Sequence, residues 1–272
     1  MSWRAKARIG RILGGVTIAL ILIYMMLPSV IVAAAAFSDG ETLAFPPQGF
    51  SLRWFVRAFT YPDFQTGLIN SLIIAAVTSV VATVAGAGYA FVVDRYRFVG
   101  RQLLRGMLTA PLVIPHFIVG LALLMLASLV GLNRSYTIVV LTHVIVVTPF
   151  VARSVHASLQ ALDVSVERAA AGLGASPLTV FLRIDVPLLA PGLLGGFLFA
   201  VILSFTEFSA SLFVTGQQTQ TLPVAMFTYI RDFADPTMAA LSTVFIVVVA
   251  CLLTIATRWF GLAAILSDQN EH

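Results

Sequence analysis

The chain has 272 residues, 59% hydrophobic and 10% charged, with a mean hydropathy of +0.98. Soluble domains carry about 25% charged residues, so this balance excludes a soluble globular domain and indicates a polytopic membrane protein of all-α class. The net charge of +4 does not point to nucleic acid: fifteen of the sixteen basic residues are arginine, and they gather at the ends of apolar runs, as topology signals do.

Six apolar segments are expected to span. They are Ile12 to Ala36, Leu68 to Val93, Leu103 to Val130, Tyr136 to Val151, Leu188 to Phe213 and Met238 to Phe260. Most reach the ~20 residues needed to cross ~30 Å of hydrocarbon. The first run, at 25 residues, is longer than the 7–15 of a signal-peptide core, so it reads as an uncleaved span. If the N-terminus is cytoplasmic, twelve basic residues fall inside (Arg4, Lys6, Arg8, Arg11, Arg95, Arg97, Arg101, Arg105, Arg153, Arg168, Arg183 and Arg258) and four outside (Arg53, Arg57, Arg134 and Arg231). The positive-inside rule then places both termini in the cytoplasm.

Between the first two spans, "SLRWFVRAF" predicts a short amphipathic helix on the outer headgroups. The loop from Thr215 to Thr237 is polar, then amphipathic, and is expected to be solvated. The lone Cys251 allows neither a disulfide within the chain nor a cysteine metal site. Pro111 and Pro115 predict a kink in the third span. Asn70, Ser71, Thr78 and Ser79 in the second are expected to make interhelical hydrogen bonds. Gly195 and Gly196 in the fifth allow close packing or a hinge.

The cytoplasmic stretch "ERAAAGLGASPLTVFLRIDVP", Glu167 to Pro187, reads as helix, elbow, helix. Asp163 can cap the first helix. Gly174 suits a left-handed residue just past its end. Ser176 can cap a second helix with Pro177 in its first position, and Pro187 should end it. The first helix is small-faced, through Ala169, Ala170, Ala171 and Gly172, which suits either a partner's groove or close packing on the chain's own spans.

The pattern Ala169, Ala170, Gly174, Ile184, Pro187 resembles the EAA loop of permease subunits of binding-protein-dependent type I ABC importers. Arg168 stands where that motif usually has Glu, with Glu167 one residue earlier, and Val186 replaces its usual Leu. "RYRFVGRQLLRGMLTAPLVIP" is similar to the family's second inner loop and third span. "LSFTEFSASLFVTG" is similar to the spermidine/putrescine-type permeases, with Thr206 and Glu207 in place of an acidic pair. The resemblance implies a single permease domain over residues 1–272, with a coupling loop near 157–187. Glu167, Arg168, Ala169, Ala170, Gly174, Ala175, Ser176, Ile184 and Pro187 would couple to the ATPase. It also implies that the membrane is a bacterial inner membrane, and it implies the partners: ATPase subunits using ATP and Mg, a second permease (identical or different), an extracytoplasmic solute-binding protein, and lipid. Independently, the only lysine is Lys6; a phosphate-binding loop needs a lysine after its glycine-rich turn, so ATP hydrolysis by that route must come from another chain.

Glu207 is the acidic residue placed well inside a predicted span. A carboxylate there costs roughly 2.5–3.5 kcal/mol or more unless paired or hydrated, so it reads as facing an aqueous path or a protein interior. Glu207, Thr206 and His116 are the candidate solute-path residues, for a polyamine-like cation. For His116 a structural hydrogen bond is the favoured alternative to a place in the path, and for His143 more strongly so. No motif supports a catalytic or metal role, which disfavours an intramembrane enzyme. The absence of an internal repeat disfavours a secondary transporter driven by an ion gradient.

Overall fold

The computed structural model describes residues 3–47 and 49–259, all helix, turn and loop with no strand among them. In chain order the helices are α1 (Trp3–Ala35), α2 (Arg53–Thr60), α3 (Pro62–Arg95), α4 (Arg101–Val113), α5 (His116–Val130), α6 (Tyr136–Ala161), α7 (Val164–Gly172), α8 (Pro177–Val180), α9 (Val186–Leu188), α10 (Ala190–Thr206), α11 (Ser211–Val214), α12 (Leu222–Asp232) and α13 (Thr237–Trp259). A π-helical turn, Phe181–Asp185, joins α8 to α9.

Among the described residues, four helices are long and apolar enough to cross a bilayer, within α1, α3, α6 and α13. Two bent pairs bring the number to six if each is one span: α4 with α5, bent by 110°, and Pro177–Leu188 with Ala190–Thr206, bent by 65°. The expected third span is thus not a kinked helix but a broken one. Pro115 disfavours helical backbone at the residue before it; Ile114 is extended (φ −77°, ψ 127°) and closes α4, while Pro111 is accommodated inside it. The fourth span runs ten residues past Val151, to Ala161, because Arg153 and the polar residues after it change polarity without stopping a helix. The end expected for the sixth span, Phe260, lies outside the described residues.

The chain forms two compact units. The first comprises Met1–Tyr61 and Thr228–Val248. In it α2 buries Trp54 and Ala58 and exposes Val56 and Phe59, the amphipathic pattern expected of a surface-lying helix. Trp54 packs with Ala35, Ala36, Ala239 and Ala240, and its indole N–H donates to the Ser38 carbonyl at 2.9 Å. Asp235 accepts from the Tyr229 hydroxyl and the Thr237 N–H, each at 2.9 Å, and lies 3.4 Å from Arg57.

The second unit comprises Pro62–Phe227 and Val249–His272. Its core is built from α3, α6 and α10, with Val147, Val151, Val155 and Leu159 of α6 between Ala82 and Ala90 of α3 and Ala200 of α10. Glycines bring these helices close. A Cβ on Gly86 would lie 2.9 Å from Val151, and one on Gly196 3.1 Å from the same side chain. Without bulk at those positions the backbones approach to the distance that dispersion rewards. Ser154 adds a hydrogen bond to the Gly192 carbonyl at 2.9 Å.

Candidate functional site

The residues singled out from the sequence fall in two places. The first is the segment between α6 and α10. Its local structure follows the sequence closely. The Asp163 carboxylate accepts from the Ser165 N–H at 2.8 Å. Gly174 has φ +85°, and α7 ends in a Schellman motif, with Gly174 N–H on the Ala171 carbonyl at 3.0 Å and Ala175 N–H on Ala170 at 3.1 Å. Ser176 caps α8 through the Thr179 N–H at 3.2 Å, and Pro177 opens that helix. Pro187 departs from expectation. It lies inside α9, and the chain turns only at Leu189. The widened π-helical turn before it holds Ile184 and absorbs the missing N–H without ending the helical path.

The motif residues split by face. Glu167 turns towards α3 and pairs with Arg95, whose guanidinium also lies 3.7 Å from Asp94. Burial pushes the Glu167 carboxyl up, Arg95 opposes this, and the neighbouring Asp185 raises it again. Asp185 itself is buried, and among the described residues its Oδ1 has no hydrogen-bond partner. Arg168 and Ala169 face outward, and Leu173 is 91% exposed. A cleft of about 720 Å³ opens here, lined among others by Arg95, Tyr96, Glu167, Arg168, Ala175 and Asp185. Sequence reasoning missed Arg95 and Asp185 as members of this group; the signal was there in charges flanking the apolar runs, but nothing in the spacing pairs them with Glu167.

The second place is a break in the fifth span. Helix α10 stops at Thr206, and Glu207 takes an extended conformation (φ −69°, ψ 117°) before α11 resumes at Ser211. Glu207 is only 7% exposed. Its Oε1 accepts from the Ala210 N–H and its Oε2 lies against His116 Nδ1, each at 2.8 Å. His116 is the first residue of α5, so the break in the third span meets the break in the fifth through this pair. Helix α5 approaches the break closely: a Cβ on Gly120 would lie 2.5 Å from the Ala210 carbonyl oxygen. His143 of α6 is fully buried beside it, with Nδ1 2.8 Å from Ser204 Oγ and Nε2 2.8 Å from Ser211 Oγ. Thr206 does not join the group. Its hydroxyl bonds back to the Ile202 carbonyl at 2.8 Å. Glu207 and His116 thus come together, while Ser204, Ser211, Gly120 and His143 complete a site that the sequence did not assemble.

The segment after α11 is held, not merely solvated. Thr215, Thr219 and Thr221 are buried. The Asn70 amide donates to the carbonyls of Gln218 and Gln220 at 3.0 and 2.9 Å, and accepts from the Tyr136 hydroxyl at 2.7 Å. Ser71 accepts from the Leu222 N–H at 2.8 Å. Asn70 thus makes the expected interhelical hydrogen bond, from α3 to Tyr136 of α6, and with Ser71 also anchors this loop. Ser79 bonds within its own helix, and the Thr78 hydroxyl has no partner among the described residues.

Residues 82–263 match the family model described as the inner membrane component of binding-protein-dependent transport systems. The chain is 28% identical to the spermidine/putrescine transport system permease protein PotC of Haemophilus influenzae, over 92% of this chain and 94% of that one. It is 35% identical to the putrescine transport system permease protein PotI of Escherichia coli K12, over 79% and 78%. It is also 32% identical to the molybdenum transport system permease protein ModB of Mycobacterium bovis, over 74% and 81%. Its fold resembles a chain of a bacterial alginate ABC transporter solved in complex with an alginate-bound periplasmic protein, with a TM-score of 0.72, 16% identity and coverage of 94% and 96%. A multi-pass helical chain with interrupted spans, matched over most of its length by this family, belongs to the inner membrane components of binding-protein-dependent transport systems, the permeases of ABC importers, and is not an enzyme.

Proposed function

We propose that the chain forms part of the translocation path for a small polyamine-like amine, and that Glu207 and His116 line that path. The observation that carries this reading is the buried carboxylate where two broken spans meet. Non-helical backbone at membrane depth persists where it is enclosed by protein or lines a cavity, and a carboxylate there favours a cation over an anion. The names of PotC and PotI agree with an amine. The molybdenum system named for the third relative shows that family membership alone does not fix the solute, and Glu207 is what favours the amine.

All 272 residues act in this reading as one permease domain with both termini cytoplasmic. Its helix α7, elbow Gly174 and helix α8 bear on a separate ATPase that uses ATP and Mg. A second permease chain completes the path, and an extracytoplasmic receptor delivers solute. Closure of the ATPase pair moves α7, the spans rock, and an incoming ammonium competes with the His116 imidazole for Glu207. The test is uptake of radiolabelled putrescine and spermidine by the reconstituted complex. Native uptake should require ATP and the receptor, and Glu207→Gln should lose about tenfold or more in uptake while the complex still assembles. Unchanged uptake by Glu207→Gln would remove Glu207 from the path.

A further inference from the structure

We infer that His143, which touches no solute in the proposed path, is the positioning residue that fixes the Glu207 carboxylate, and that it does so as the neutral Nε2–H tautomer. The inference rests on the reading of Glu207 as a path residue, and the geometry of the break carries it.

The break interrupts the backbone ladder between Thr206 and Ser211, so its shape must be held from outside. His143 grips both banks. One ring nitrogen faces Ser204, in the last turn of α10, and the other faces Ser211, the first residue of α11. Both hydroxyls and the imidazole are at most 2% exposed, so no solvent competes.

The direction of each bond follows from counting protons. A serine hydroxyl has one proton to give. That of Ser211 goes to the Glu207 carbonyl at 3.0 Å. Its oxygen must therefore accept from His143, which places the proton on Nε2. The neutral ring then has a bare Nδ1, which accepts from the Ser204 hydroxyl. The chain from Nε2–H to Ser211 Oγ–H to the Glu207 carbonyl is directional, and it ends on the residue whose side chain meets His116. On the other bank the Ser204 carbonyl accepts the Glu207 N–H at 3.4 Å. Both serines that His143 grips thus bond the Glu207 backbone. With the backbone fixed, the carboxylate is held within reach of its two partners, the Ala210 N–H and His116. A group held by packing and a surrounding set of hydrogen bonds keeps its geometry.

Two measurements test this on the reconstituted complex. The first is nitrogen-15 spectroscopy with labelled histidine at pH 7.5, assigned by comparison with His143→Gln. The expected signature is a neutral ring, protonated at Nε2 and bare at Nδ1. The opposite tautomer, or a doubly protonated ring, overturns the inference whatever solute is transported. The second is putrescine uptake by His143→Phe, which keeps ring bulk and loses both bonds, beside His143→Gln, whose amide offers one donor and one acceptor. In His143→Phe the half-saturating concentration should rise about tenfold, with assembly preserved. In His143→Gln it should stay within about threefold of native. Equal behaviour of the two variants overturns the positioning role, and so does loss of assembly in both. If Glu207→Gln transports normally while the tautomer is as expected, the path reading fails and His143 remains the clamp of the break. If Glu207→Gln fails and His143→Phe is silent, only the clamp is wrong.

Discussion

Gly120 and Ala210 are packed so closely that a single added methyl on the glycine would fall 2.5 Å from the Ala210 carbonyl oxygen and 2.8 Å from its Cα. The obstacle is backbone, so nothing flexible can yield. Gly120→Ala should therefore push α5 off the break and cost about 1–3 kcal/mol. The measurement is a lowered melting temperature of the purified complex together with reduced uptake. A variant as stable as the native protein would show that the break is free to move away from α5.

Gly174 is a different case, because open space surrounds it and only its backbone conformation, φ +85°, resists a side chain. If α7 and α8 transmit ATPase motion, Gly174→Val should abolish solute-stimulated ATP hydrolysis without preventing insertion. Gly174→Asn should retain most of the stimulation, since asparagine tolerates the left-handed region. Full coupling in the valine variant would count against the elbow as a transmitting element.

Asn70 satisfies two carbonyls of the 216–221 segment and is almost fully buried. Asn70→Leu keeps the branched shape but removes the amide donor from both carbonyls, leaving Gln218 with only the Tyr136 hydroxyl at 3.1 Å, a loss of about 1–3 kcal/mol. Limited proteolysis after Gly216 should become faster. A native digestion pattern would mean that Ser71 and Thr219 hold the loop unaided.

Asp235 gives a pH prediction. Burial works against its charge, but hydrogen bonds from Thr237 and Tyr229, with Arg57 nearby, hold its carboxyl below the usual value of 3.8. A carboxyl lowered in the folded state contributes stability above its ordinary range and loses it as the pH falls through the lowered value. Asp235→Asn should therefore lower the melting temperature at pH 7.5, by the equivalent of about 1–3 kcal/mol, and the gap to the native protein should close in strong acid. A gap that persists there would assign the effect to shape instead of charge.

Much of this architecture could be read from the residues in order. The apolar runs located the spans, because a bilayer demands long uninterrupted hydrocarbon-compatible helix. Asp163, Gly174 and Ser176 announced their caps and elbow, because each acts within three or four residues of itself. The break after Thr206 was not legible. The segment reads as one apolar run, and what opens it is gathered from His116, Gly120 and His143, each more than sixty residues away in sequence. The inward turn of Glu167 was hidden for the same reason: its partner Arg95 is seventy-two positions distant. Thr78 and Ser79 show the converse failure, where a polar pattern on one helix suggested cross-helix bonds that the neighbouring helices do not supply.

The interrupted spans also bear on how the chain reaches its membrane. At 1.5 Å per residue, the 13 residues of α4, the 15 of α5 and the 17 of α10 extend about 20, 22 and 26 Å, each short of the roughly 30 Å of hydrocarbon. None of them makes a self-sufficient crossing, whereas α3 and α6, of 34 and 26 residues, do. Partitioning of these short helices from the translocon then draws on neighbouring helices as well as on their own hydropathy. In the finished fold α10 packs on α3 and α6, and α4 and α5 pack on α6, so the short helices settle against long ones and biogenesis of this half of the molecule has a collective component.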